Sequence, residues 1–549
     1  MAAPEKSSAS TYGTLGMWCG MRDDCISARA VFDFAPRRRR SPFLGPRPFT
    51  ARDESLFFGR SDEIRVVRGL WRRNRLTILH SDAAAGKTSL LGAGLIPGMR
   101  ADNADVLPLG RATSCQVWPV AALPGHNPYV LALLSSWAPE ESPGRLVARS
   151  IDEFIRDRQA LYRDGERALI FAAVDQAEAF LRPSEPVEGH RRRLLDELFE
   201  TLDRRPNLRL LLAVRSDYLD DLRHEVKDAG LPECAEYHLR PLTPEAAADV
   251  VRRSAQAMRL HCPPAEVEEL LEELRAIRDE SGRVSRLTRA IDPLLLQVAG
   301  AHLWRDPPGH EQFDSARLRA EVERALTDWC GRTLAAAAAE HELPPHELES
   351  WLRRTLLRRG RPGTAPAAGI TDAFLHSLED RHLITGARHS AGPCLRRQRL
   401  LAPLGRLDAG QWPSPSQEPA ALLCAAMRAR AAGEPGRAGR LAREAARVCP
   451  PKEIRVHADI ETLLGNLGYE QRWLDEAAAR HLAAATLYET LNDCTSVGWA
   501  LAAIGRISLV QGRRGRAIEH MMAAVSRIPN DPVVRIGLGQ VLAGEVVDQ

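Results

Sequence analysis

Short apolar runs alternate with helix-spaced apolar positions along the first half of the chain, and helical spacing takes over in the second. "LTIL" (76–79), "LIFAAV" (169–174) and "LRLLLAV" (208–214) are near-continuous apolar runs, each followed by a helical pattern. Runs of that kind, separated by helices, predict a parallel sheet covered on both faces across residues 41–245. From 246 to 310 the pattern is helical, with "EAAADVVRRSAQAM" running into it and "AEVEELLEELRAIRDE" and "DPLLLQVAGAHLW" inside it. A second helical set over 311–410, "HELESWLRRTLLRR" and "ITDAFLHSLEDRHLIT", leads to a turn at "GARHSAGPCLRRQRL". The Pro/Ser-rich stretch 411–418 predicts a linker, and residues 1–40, small and polar and ending in "PRRRR", predict a disordered leader.

Beyond the linker the pattern repeats. Leu464-Gly465, Ile504-Gly505 and Leu538-Gly539 recur, the last two pairs 34 residues apart and the first two 40. Gly512, Ala517, Ala524 and Pro529 follow one of these, and Gly433, Ala438, Ala445 and Pro450 keep the same offsets earlier. Small residues at such offsets let paired helices approach closely, and the pattern resembles the tetratricopeptide repeat. Three repeats and part of a fourth are expected over 419–549, as a separate all-α docking module.

Candidate chemistry centres on "LTILHSDAAAGKTSLL" (76–91). A phosphate-binding loop follows the form G-x-x-x-x-G-K-[ST] between a buried strand and a helix; backbone N–H groups cradle phosphates, the Lys reaches outer oxygens and the hydroxyl holds Mg²⁺. Here Ser81 replaces the first Gly, while Gly86, Lys87 and Thr88 stand where the template has them. Composition sharpens this reading. Of 75 basic residues only Lys6, Lys87, Lys227 and Lys452 are Lys, and a tight phosphate loop has room for a compact ammonium rather than a planar guanidinium. The loop is poor in glycine, so each left-handed position now held by Ala is expected to cost about 1 kcal/mol. Restoring Gly at Ser81 and Ala84 is expected to tighten binding.

Asp175 follows an apolar strand in "ALIFAAVDQAEAFL", suited to the Mg²⁺ of a phosphate loop, with Glu178 close behind. Arg215 lies just past a third strand in "LRLLLAVRSDYL", where its fork can sense a terminal phosphate. Asp175, Glu178 and Arg215 are the candidate catalytic set; Thr88 and Asp175 are the candidate metal ligands.

Other classes are less well supported. A net charge of +3 is too small to imply nucleic acid or an acidic membrane surface. Ten Cys lie without a C-x-x-C pair, which suits reduced thiols. No apolar run approaches the roughly 18 residues of a membrane span, and no signal-peptide core is present. A soluble cytoplasmic protein is expected.

"SPFLGPRPFTARDESLFFGRSDEI", the loop around Lys87, "VDQAEAF", "AVRSDYL" and "IDPLLLQVAGAHLW" together resemble the novel STAND NTPases, signal-transduction ATPases related to the AAA+ class. The resemblance spans about 41–410. It implies a P-loop NTPase core over 41–245, a helical lid over 246–310 and a winged helix over 311–410, with the repeats as sensor or partner-docking arm. By the same resemblance Gly59 and Arg60 lie at the adenine of ATP or ADP, and Lys87 and Thr88 take the phosphates and Mg²⁺. Asp175 takes the Mg²⁺, Arg215 senses the nucleotide, and Pro293 of the lid packs on the base. Ser81 and Gly86 complete the candidate nucleotide contacts. Three departures stand out. Arg397 and Gln398 replace a His and an Asp of the family's winged helix, Gln176 replaces a water-polarising Glu, and Ala179 replaces an acidic residue. The resemblance therefore implies an ATP-binding switch with slow hydrolysis, in a bacterial defence or regulatory pathway, with a protein partner on the repeats and homo-oligomers on activation. Two alternatives remain open: a pseudo-NTPase scaffold that no longer binds nucleotide, and a winged-helix DNA regulator using "RRTLLRRGR" (353–361).

Overall fold

Five short segments line up as parallel strands: β1 (Leu76–Ser81), β2 (Asp105–Val106), β3 (Ile170–Val174), β4 (Leu208–Arg215) and β5 (Ala235–His238), in the order β2-β3-β4-β1-β5. The computed structural model describes residues 41–543, apart from 112–116, 124, 161–168, 182–187, 232–233, 260–261, 279–282, 305–314, 357–369, 386–393, 396, 408–411 and 413–417. The expected leader, nearly all of the linker and the end of the basic run 353–361 therefore lie outside the described residues.

Alternation of side chains along each strand feeds two cores, one per face. Ile78, Ala172 and Val174 pack with the helices Pro128–Trp137, Ile151–Gln159 and Glu188–Arg204 on one side. Leu79, Phe171 and Ala173 pack with Val67 and Trp71 of Ser61–Arg73 and with Leu90–Met99 on the other. The three-layer α/β core expected from the continuous apolar runs is present. All five strands run the same way, so the turns after β1, β3 and β4 emerge at one edge. Ligands bind at such carboxyl-end crevices.

The helix after the β1 turn is irregular: one α-turn (Lys87–Ser89), a π segment (Leu90–Leu95), then α again from Ile96. Pro97 has no N–H to donate, so the ladder cannot run through it unbroken. Residues 41–58 form a strap across this helix and the lid. Phe49 N–H donates to Ser89 Oγ (3.1 Å), and a Cβ on Gly92 would sit 3.1 Å from the Phe49 carbonyl oxygen. At the strap's other end Leu44 N–H donates to Gln297 Oε1 (2.9 Å), and Phe43 lies so close under Gly300 that a Cβ there would come within 2.4 Å of its ring.

The segments expected as lid (246–310) and winged helix (311–410) share a second buried cluster. The lid helix Pro293–Leu303 starts as its sequence dictates, with Pro at N1 and the Asp292 carboxylate accepting from Leu294 N–H (2.9 Å). Helices Ser315–Glu340, Pro345–Thr355 and Asp372–Asp380 are followed by an antiparallel ribbon of Ile384–Thr385 with Cys394–Leu395, the element order of a winged helix.

The C-terminal arm is a run of helix pairs: Pro419–Ala431 with Pro435–Val448, Ile454–Glu470 with Leu474–Thr490, Cys494–Val510 with Arg514–Arg527, then Pro532–Ala543. Ala438, Ala445, Ala477, Ala484, Ala517 and Ala524 are completely buried between partners, as their offsets required. The arm is not a satellite. Trp499, Met521 and Val533 belong to the same apolar cluster as Trp137 and Val214 of the sheet layer. Two polar fastenings reinforce that seam. Asn466 accepts from Val120 N–H (2.8 Å) and donates to the Trp118 carbonyl (2.7 Å), and Ser142 Oγ donates to Asp531 (3.2 Å). Among the described residues no helix is long and apolar enough to cross a membrane.

Candidate functional site

β1 delivers Ser81 to the sheet's carboxyl edge, and the chain turns back through Gly86, whose φ of 103° only glycine adopts without strain. A Cβ at Gly86 would meet nothing within 4 Å, so the crest of the turn is open. Ala84 also lies in the left-handed region, at φ 60°. Ser81 does not: it is the last strand residue, buried, and its hydroxyl is used. Lys87 Nζ donates to Ser81 Oγ (3.0 Å) and to the Ser81 carbonyl (3.2 Å), so the ammonium folds back into its own loop.

Thr88 Oγ1 donates to Asp175 Oδ2 (2.9 Å), joining the first turn of the loop helix to the end of β3 across the intervening β4. Asp175 is 2 % exposed, and its Oδ1 has no hydrogen-bond partner. A buried carboxylate oxygen left without a donor is costly, and a cation suits it. Among the described residues no cluster of three His, Cys, Asp or Glu could hold a metal. A Thr hydroxyl and one carboxylate beside a phosphate loop are instead the sparse protein ligands that Mg²⁺ takes along with nucleotide oxygens. The residues present therefore fit a Mg²⁺–nucleotide.

Glu178 opens the helix after β3 and accepts from Arg215 N–H (3.3 Å). Burial raises its pKa above the ordinary carboxylate value, although Lys87 pulls the other way. Arg215 is 3 % exposed; it pairs with Asp217 and, at 3.5 Å, with Glu379 of the winged-helix segment. Gly59 sits against the helix Pro244–Ala257, where a Cβ would meet Val250 at 2.5 Å. Arg60 is buried and braces the loop, donating to the carbonyls of Ala85 (3.0 Å) and Arg240 (2.9 Å). Lys87, Thr88, Asp175, Glu178 and Arg215 thus gather at one edge, and Arg60 reaches them through the loop backbone. Pro293 is half-buried at the lid helix start, beside Asp292. Arg397 pairs with that Asp292 and donates to the His382 carbonyl (2.7 Å), and Gln398 accepts from Arg286 (2.8 Å).

A family model for novel STAND NTPase 1 matches residues 42–358, more than half of the chain. The chain belongs to that family. Solved structures similar to this STAND NTPase include the Walker-type ATPase of Pyrococcus abyssi, 18% identical over 65% of this chain and 98% of that one (TM-score 0.39). A STAND protein with a tetratricopeptide-repeat sensor from Pyrococcus horikoshii is 15% identical over 89% of this chain and 74% of that one (TM-score 0.26). The Orc1 protein of Aeropyrum pernix, solved in complex with DNA, is 16% identical over 64% and 92% (TM-score 0.32). No curated protein matches the chain.

Two neighbours of the STAND NTPase loop carried no sequence signal. His80, one residue before the loop, stacks on His238 of β5 with ring centroids 4.8 Å apart, and its Nδ1 is 3.1 Å from Ser216 Oγ. Burial, and after it His238, lowers its pKa. Arg111 reaches Asp175 from the far side of β3. Both depend on strand pairing that no spacing rule reveals.

Proposed function

We propose that this chain is a cytoplasmic ATP-binding switch in which occupancy, more than turnover, sets the state. The observation that carries the reading is the Thr88–Asp175 bridge beside the buried Lys87, a ready Mg²⁺–phosphate site on an open turn. Lys87 exchanges Ser81 for the outer phosphates; Thr88 and Asp175 hold Mg²⁺, which when bound neutralises phosphate charge. Gly59, Arg60, Gly86 and the lid at Pro293 complete the nucleotide's surroundings. Hydrolysis is slow on this reading. Gln176 supplies no carboxylate, and Glu178 is buried and turned onto the Arg215 N–H rather than toward water. Arg215 joins the core to Glu379, so a terminal phosphate that draws Arg215 away weakens the hold on the winged-helix segment. A protein partner acting on the repeats, and homo-oligomers on activation, complete the scheme.

Titration of the full chain with fluorescent ATP and ADP, with and without Mg²⁺, tests the site. Micromolar binding is expected, with loss of at least two decades of affinity in Lys87→Ala. Equal binding by that variant overturns the assignment.

A further inference from the structure

We infer that Arg111 is a second phosphate-binding residue, one that takes over from Mg²⁺ when the metal is scarce. The inference rests on the nucleotide reading above and concerns the same site.

The backbone at Arg111 is held firmly. Gly110 N–H donates to the Ala173 carbonyl (2.8 Å), Asp175 N–H donates to the Gly110 carbonyl (2.9 Å), and Arg111 N–H donates to Ser136 Oγ (3.0 Å). A Cβ on Gly110 would lie 2.5 Å from Trp137 Nε1 and 2.8 Å from the Ala173 oxygen, so only glycine allows the chain this close to β3. Arg111 is thereby fixed beside Asp175.

Its side chain is held loosely by comparison. One guanidinium nitrogen, Nη2, approaches Asp175 Oδ2 at 3.4 Å, and the side chain is 42 % exposed while the carboxylate is 1 % exposed. Arg158 on Asp105, at the other end of β2, makes three contacts of 3.0, 3.1 and 2.5 Å. A single long contact from a half-exposed guanidinium is easily exchanged. Asp175 Oδ2 thus receives two donors, Thr88 and Arg111, at the carboxylate that fits Mg²⁺.

Mg²⁺ fits the orphaned Oδ1 while Arg111 approaches Oδ2, and two positive charges a few ångströms apart repel, so Mg²⁺ weakens the hold of Arg111 on Asp175. When Mg²⁺ holds the carboxylate, Arg111 is released at the rim. Without Mg²⁺, Arg111 keeps Asp175 on one guanidinium nitrogen and offers its remaining donors to a phosphate held by Lys87; a planar fork suits phosphate oxygens well. Magnesium-independent nucleotide binding follows, with Arg111 as its cause.

The test is equilibrium binding of fluorescent ADP to the full chain in EDTA and in saturating Mg²⁺, for wild type, Arg111→Gln, Arg111→Lys and Lys87→Ala. Wild type is expected to bind in EDTA. Arg111→Gln is expected to lose about tenfold in EDTA but less than about threefold in Mg²⁺. Its half-saturating Mg²⁺ concentration falls, because the competing cation is gone, and Arg111→Lys recovers part of the EDTA affinity. Equal losses in both conditions, no loss in either, or wild-type binding that vanishes in EDTA overturns the inference. Lys87→Ala separates the two levels. Unchanged binding there sinks the nucleotide site itself, whereas loss there with an unchanged Arg111→Gln sinks only the role of Arg111.

Discussion

Ala84 is the one alanine of the glycine-poor loop that stands in left-handed backbone, at φ 60°. Ser81, read from the sequence as a second lost glycine, ends a strand, and its hydroxyl accepts from Lys87. The two positions therefore separate. Ala84→Gly is expected to raise unfolding stability by about 1 kcal/mol and to leave nucleotide affinity unchanged, because the free loop already carries the strain. Ser81→Gly, measured by nucleotide titration, is expected to tighten binding slightly, since Lys87 no longer gives up a hydroxyl contact to reach phosphate. An affinity gain from Ala84→Gly larger than that from Ser81→Gly contradicts this account. The lysine, hydroxyl and carboxylate of the candidate nucleotide site were legible because each residue type sits at a fixed offset from a strand end. Which alanine is strained was not, because φ is a property of the folded turn. Arg111 was hidden for a related reason: its neighbour in space, Asp175, is reached only through the β2–β3 pairing.

At the scale of the element, the repeat helices were legible from their small residues, and the packing shows why. A Cβ on Gly465 would come within 2.7 Å of the His481 ring, so the paired helices touch there backbone to side chain. His481 is fully buried, and neither ring nitrogen has a partner. Burial lowers its pKa to about 4. The unfolded chain takes up a proton near pH 6.5 and the folded chain only near 4, so the unfolded state binds more protons between them. Stability is complete above about pH 6.5 and falls as pH drops through that window, by up to about 3 kcal/mol from this residue. Urea unfolding at pH 7.5 and pH 5 is expected to show a smaller difference in His481→Leu than in wild type. His341, lowered to about 4 by burial and then by Arg437, leaves a residual slope of the same sign. An unaltered pH difference in His481→Leu contradicts the assignment.

For the whole molecule, the succession of sheet-forming and helical stretches was legible but their docking was not. Periodicity shows which face of a helix is apolar; it does not show that Trp499 and Met521 bury against the layer beneath the sheet. Asn466, completely buried, clasps the backbone at Trp118 and Val120, a few residues beyond Arg111 in the chain. Asn466→Ala leaves a buried N–H and carbonyl unpaired at about 1–3 kcal/mol each. Hydrogen exchange is expected to quicken over 117–123 while β1 and β4 stay protected; unchanged exchange there contradicts the clasp. The strap carries a different kind of consequence, one of timing. Phe43 is made early, yet the lid that covers it ends more than 250 residues later, with Leu44 and Gln297 separated by 253 positions. At about 5–20 residues per second, synthesis of that interval takes about 13–50 s. During all of it the sheet can form while the strap's apolar end stays in water, so a nascent chain halted between β5 and the lid presents Phe43 to whatever binds exposed hydrophobic segments.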